Sequence, residues 1–194
     1  MTSSYSFARL RSDLREDIDA YLDFAAEYAP DRRTLIKRLS ALAMPSVLAC
    51  LGYRLSHLAH CRGHRRLALV LAWLNLLVTR VSIAPASRIG GGLYIPHPAT
   101  GIVFQGNAGR NLRLFAGSGA AAEGVPLHAH DLRGAPQLGD DVALGAKAYV
   151  AGAVKIGSGA RIGFNAFVDR DIPQGARVFG PHVRNRIASD PPRR

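Results

Sequence analysis

Residues 138–168 read LGDDVALGAKAYVAGAVKIGSGARIGFNAFV. Leu138, Leu144, Val150, Ile156, Ile162 and Val168 stand six residues apart. Gly follows the aliphatic residue in LGDDVA, LGAKAY, IGSGAR and IGFNAF. Four residues after each aliphatic comes a small or β-branched one: Val142, Ala148, Val154, Ala160, Ala166 and Ile172. No helix has a period of six. A solenoid does, because each rung returns the same residue to the same corner. The aliphatic side chain points inward and stacks on its equivalent in the next coil, and the small residue fits the tight space at the turn.

The period extends upstream. Ile83, Ile89 and Ile95 are again six apart, so the repeats are expected over residues 83–187, with 188–194 as a tail. The register slips twice. One residue is added around Thr100–Gly101. From Ala116 to Gln137 the period vanishes, in AGSGAAAEGVPLHAHDLRGAPQ, which reads as a loop leaving one face of the solenoid.

Residues 1–82 follow a helical grammar. Ser12 suits the cap of a segment in which Leu14, Ile18, Tyr21, Leu22 and Ala25 recur at helical spacing, ended by Pro30. Asp31 suits the cap of a second segment with Leu35, Ile36 and Leu39. Pro45 fits the first turn of a third helix that Gly63 closes. A fourth helix runs from about residue 64 to Arg80 and is apolar almost all round, which predicts burial. The fold class is therefore α+β: a helical region over 1–82, then a parallel β-helix.

The formal net charge is +11, which favours polyanionic partners: nucleic acid, acidic lipid or a phosphate-rich cofactor. Aromatics are 7% of the chain and are not interleaved with basic clusters, so nucleic acid is not expected. Cys50 and Cys61 lack a CxxC spacing or a ligand cluster and read as two reduced thiols. The N-terminus has no apolar signal region, and the run LALVLAWLNLLV (67–78) falls short of the roughly 20 residues that cross a bilayer. A cytoplasmic protein is expected. Arg62, Arg65, Arg66 and Arg80 flank that run, and a helix buried at an oligomer contact outweighs an interfacial membrane helix. His57, His60 and His64 near helical spacing read as packing residues rather than a metal trio.

Several segments together resemble the serine acetyltransferase family of left-handed β-helix acyltransferases. YRLSH (53–57), GHRRLAL (63–69) and Asn75 resemble that family's last helices before its solenoid. IAPASRIGGGLYIPHPATGIVF (83–104) resembles its first coil, where a histidine precedes ATGIV. Leu138 to Val168, followed by DIPQGARVFGPHVR (171–184), resembles its final coils and closing segment. The resemblance implies a left-handed helix, a homotrimer with active sites between solenoids, and acetyl transfer from acetyl-CoA to a hydroxyl. The acceptor is a small molecule: serine, a sugar or a biosynthetic intermediate.

By that resemblance His97 is the general base, a role suited to histidine's pKa near working pH. Gly145, Ala146 and Gly163 match the small residues along which the CoA arm lies, with Phe164 where a smaller residue is usual. Arg170 and Arg184 match basic positions facing the cofactor's phosphates. No metal is implied. Ser82 stands where the family has the aspartate that orients its base, and Ala135 where it has a second histidine. Pro96 replaces an acidic residue, and Pro98 is an insertion. His128, His130 and Asp131, in the HAHD of the loop, are candidate substitutes. The competing expectation is a non-catalytic solenoid that binds a partner enzyme.

Overall fold

A computed structural model describes residues 5–28, 41, 43–122 and 132–180. Among the described residues the helices α1 (Phe7–Tyr28), α2 (Pro45–Cys61) and α3 (Arg65–Thr79) come first. Helix α1 starts before Ser12, because Ser6 Oγ accepts the Arg9 N–H at 3.2 Å and caps the first turn. Pro45 opens α2, and Gly63, at φ +81°, follows its end as expected. The segment expected from Asp31 lies outside the described residues, apart from Ala41.

Among the described residues twelve short strands follow, all paired in parallel across three sheets. Face A holds β1 (Val81–Ile83), β2 (Ile102–Phe104), β5 (Gly119–Ala121), β8 (Tyr149–Ala151) and β11 (Phe167–Val168). Face B holds β3 (Asn107–Ala108), β6 (Gln137–Leu138) and β9 (Lys155–Ile156). Face C holds β4 (Arg113–Leu114), β7 (Ala143–Leu144), β10 (Arg161–Ile162) and β12 (Arg177–Val178). Single bridges at Ile89, Tyr94 and Ile172 complete the first and last coils. The chain runs A to B to C and back to A, so three hexapeptides make one coil of a triangular prism.

The hexapeptide has a physical reading in this frame. Leu138, Leu144, Val150, Ile156, Ile162 and Val168 all point inward and are buried. The third residue after the inward one turns the corner in the left-handed region: Asp141, Lys147, Gly159 and Asn165 have φ between 56° and 72°. The glycine after the aliphatic is steric. A Cβ on Gly145 would sit 2.8 Å from the Ile162 carbonyl oxygen and 3.0 Å from the Gly163 carbonyl carbon. Both are backbone atoms of the next coil and cannot yield cheaply.

Strand β5 lies inside the stretch where the period is not visible. Ala120 takes the inward place there, and Tyr149 of the next coil packs against Gly119. A small residue in the aliphatic slot hides the repeat without breaking the coil. The described chain leaves the solenoid after Ala122 and rejoins it at Leu132.

The first coil has an open edge, whose backbone groups no earlier strand can pair. The YRLSH helix satisfies them. Tyr53 Oη donates to Ser87 O at 2.8 Å and accepts the Ile89 N–H at 3.2 Å. Arg54 donates to the carbonyls of Ile89 and Gly90 at 2.5 and 2.6 Å. His57 Nδ1 meets Pro85 O at 2.8 Å, and Cys50 Sγ meets Leu93 O at 3.3 Å. Asp17 from α1 accepts the Leu93 N–H at 2.8 Å. It also takes two bonds from Arg54, at 3.0 and 2.9 Å. Burial pushes the Asp17 carboxyl up, and the Arg54 charge and these hydrogen bonds pull it back. Helix α2 thus plugs the prism, and Ala49, Cys50 and Tyr53 join the solenoid interior in one core.

His57 carries a pH dependence. Burial lowers its pKa from the ordinary 6.5 to about 4, so the folded protein holds the ring neutral. Between those values the unfolded chain binds the extra proton, and stability falls as the pH drops from 6.5 toward 4. The full loss is on the order of 3 kcal/mol. Urea unfolding at pH 7 and pH 5 should show this slope in the parent, flattened in His57→Gln. Equal slopes for the two proteins would refute it.

Within a single chain the expected burial of α3 is not found. Only Ala68, Asn75 and Thr79 are buried, against α2, while Leu67, Val70, Trp73, Leu74, Leu77 and Val78 are 51–73% exposed. Among the described elements α3 packs on α2 and on the start of β1. Among the described residues no helix is long and apolar enough to cross a membrane.

Candidate active site

His97 lies where face C turns into face A, at the top of one edge of the prism. It is exposed and immediately precedes a 3-10 turn, Pro98–Thr100, which absorbs the extra residue. Thr100 locks the turn: its Oγ1 donates to His97 O at 2.6 Å and accepts the Gly117 N–H at 3.1 Å. Among the described residues the His97 imidazole makes no hydrogen bond.

The same edge continues coil by coil. Lys147 N–H bonds to Ala116 O at 2.8 Å, and Asn165 N–H to Ala146 O at 3.0 Å. Below His97 stand Ala116 and Gly117, then Gly145 and Ala146, then Gly163 and Phe164. At about 4.8 Å per coil, His97 is about 10 Å from the level of Gly145 and about 14 Å from that of Gly163. The structure therefore gathers His97, Gly145, Ala146, Gly163 and Phe164 on one edge. Small residues leave its upper part a shallow track. Phe164, 70% exposed, stands at the lower end.

Arg170 is not on this edge. It sits where face A turns into face B, pairs with Asp169 at 3.2 Å and is highly exposed. Ala135 is at that same second edge, buried at the root of the insertion. Face A separates the two edges. His128, His130, Asp131 and Arg184 lie outside the described residues. Ser82 points outward from β1, in register with Val103, Gly119, Tyr149 and Phe167 down face A.

Three cations near the track escaped the sequence reading. Lys147 is an exposed corner residue of the His97 edge itself. Arg161 and Arg177 pair in register on the outside of face C, two residues before Gly163 and Phe179. The signal was present in LGAKAY and IGSGAR, but assigning it required knowing which hexapeptide lies on which face. A broad groove of about 1220 Å³ lies elsewhere, between α1, α2 and face B, and does not include His97. Among the described residues no three His, Cys, Asp or Glu side chains converge as metal ligands.

Residues 135–170 match the bacterial transferase hexapeptide family model of six repeats. A serine acetyltransferase of Helicobacter pylori is 34% identical over 145 residues, covering 74% of this chain and 82% of that protein. The chain belongs to the serine acetyltransferase family. A serine acetyltransferase of Mycobacterium tuberculosis is 38% identical over 141 residues, covering 70% of this chain. The match takes in only 58% of that relative's length. A serine acetyltransferase solved in complex with CoA superposes with a TM-score of 0.74 at 23% identity, covering 91% of this chain and 70% of that one. The fold is the left-handed β-helix of the serine acetyltransferase family. In this fold the YRLSH segment is the plug of the first coil.

Proposed function

We propose that this chain is an acetyl-CoA-dependent O-acetyltransferase acting on the hydroxyl of a small acceptor. The observation that carries the reading is the shared edge. His97 heads a track of Gly145, Ala146 and Gly163 along which an extended thioester arm fits. L-Serine is the first acceptor to test, since the relatives are named for it. When bound, acetyl-CoA supplies the acetyl thioester. His97 accepts the acceptor's hydroxyl proton as that oxygen attacks the carbonyl, and later returns a proton to the leaving thiolate. Lys147, Arg161 and Arg177 supply positive charge beside the track for the cofactor's phosphates. Arg170, on the other edge, is not available to the same track.

The reading also includes a homotrimer. His97 and the root of the insertion stand on different edges of one prism, so a site containing both needs a neighbouring chain. Face A, between those edges, presents Val103, Tyr149 and Phe167 outward, with Val103 and Phe167 37% and 66% exposed. Apolar side chains in register suit a packed contact. Sedimentation as a monomer would remove the trimer from this picture.

The test is CoA release from acetyl-CoA with L-serine and a panel of small sugars and hydroxyl metabolites. At least one acceptor should raise release well above hydrolysis. If none does, the chain is not an acetyltransferase and the non-catalytic scaffold becomes the better reading.

A further inference from the structure

Helix α3 is inside out. Its two uncharged polar residues are buried: Asn75 donates to Ala49 O at 3.2 Å, and Thr79 Oγ1 donates to Asn75 O at 2.7 Å. Gly52 of α2 packs directly on Asn75, so the helices are in close contact there. The large apolar residues point away. Leu67, Val70, Leu74, Leu77 and Val78 are 51–73% exposed and fall on one side of the helix. At 1.5 Å per residue this stripe runs about 17 Å, long enough to lie on a surface and too short to cross a bilayer.

The charges around the stripe run against local preference. Arg65 and Arg66 occupy the first turn of α3, which contains no acidic residue. Two cations at the positive end of a helix oppose its dipole. Such a local conflict marks a position kept for something other than the helix. Arg62 and Arg80 are exposed beside the two ends, Arg62 lying 3.9 Å over the Phe7 ring. From residue 32 to residue 122 the chain contains no Asp or Glu. A groove of about 580 Å³ lined by Gly63, His64, Arg65, Arg66 and Leu67 joins the cationic end to the apolar stripe.

We infer that α3 docks on an anionic phospholipid surface, its leucines and valines entering the acyl boundary and its arginines meeting the phosphates. The charge pattern selects this occupant over a second copy of the chain. Antiparallel pairing of α3 with its own copy sets Arg65 and Arg66 of one beside Arg80 of the other. Parallel pairing sets Arg65 and Arg66 beside themselves. In both cases the surrounding sequence has no carboxylate to offset the repulsion. An anionic bilayer satisfies both the apolar stripe and its cationic ends.

Trp73 is the only tryptophan and lies on this helix, so its emission reports docking directly. The probe is the full chain with vesicles of phosphatidylglycerol and phosphatidylcholine, against vesicles of phosphatidylcholine alone. Docking predicts a blue shift and co-sedimentation with the anionic vesicles, both weakened by added salt. Arg65→Ser with Arg66→Ser should lower the partition constant about 25-fold, at about fivefold per arginine. Leu77→Glu, at a position 71% exposed, should leave the thermal melt unchanged and abolish vesicle binding. Absence of any shift or co-sedimentation with anionic vesicles overturns the inference. So does a blue shift that follows protein concentration without lipid and disappears in Leu77→Glu, since a second copy then covers the stripe.

Discussion

Arg54→Met is expected to cost about 3–5 kcal/mol of folding stability, the largest effect of any single side chain described here. Arg54 is fully buried and bonds to Asp17 through Nε and Nη2. It also satisfies the carbonyls of Ile89 and Gly90 on the open edge of the first coil. Methionine fills much of the volume but leaves the Asp17 carboxylate without its cation and two carbonyls without donors. Arg54→Lys keeps the charge and loses the fork, so a smaller loss is expected. Urea unfolding measured by far-UV circular dichroism checks both. A loss under 1 kcal/mol for Arg54→Met would mean that the plug does not hold the first coil.

His97→Ala should lower kcat/KM for acetyl transfer by about 10²–10⁴, the usual contribution of a positioned general base. His97 is exposed, so the substitution should leave the melting temperature within about 1 °C of the parent. Steady-state CoA release with the best acceptor provides the measurement. The effect belongs in kcat rather than in the KM for acetyl-CoA, because His97 stands at the head of the track and not along it. Wild-type turnover in His97→Ala would show that another group takes the proton. The histidines of the insertion, His128 and His130, are then the next to substitute.

The departures around His97 give this experiment its interest. The resemblance implies an orienting aspartate and a second histidine at positions that hold Ser82 and Ala135. Within the described chain the His97 ring is held by its backbone turn through Thr100 and not by a side-chain partner. An imidazole positioned in that way depends more heavily on what the bound substrates bring to it.

The sequence by itself determined the solenoid. A period of six is a local property: each hexapeptide from Leu138 to Val168 has one inward aliphatic and one small or β-branched residue, and these requirements repeat wherever the coil goes. Leu138 to Val168 therefore shows its fold without any long-range information. His97 was singled out by resemblance, through the segment that leads into ATGIV, and not by the period. The plug was visible only as a motif, YRLSH. Its purpose required seeing that the first coil's carbonyls face Tyr53, Arg54 and His57.

Only the tertiary structure decided which repeat lies on which face. Gly145 and Gly163 are 18 residues apart and stack, whereas Arg170, only seven residues beyond Gly163, falls one edge away. The extra residue at His97 and the insertion after Ala122 disrupt the count, so linear spacing could not place the first coils against the last. Helix α3 shows the same limit. Its composition predicts burial, but burial depends on how many elements the fold sets around a helix. Among the described elements only α2 and the start of β1 pack on α3, and its leucines and valines are left exposed.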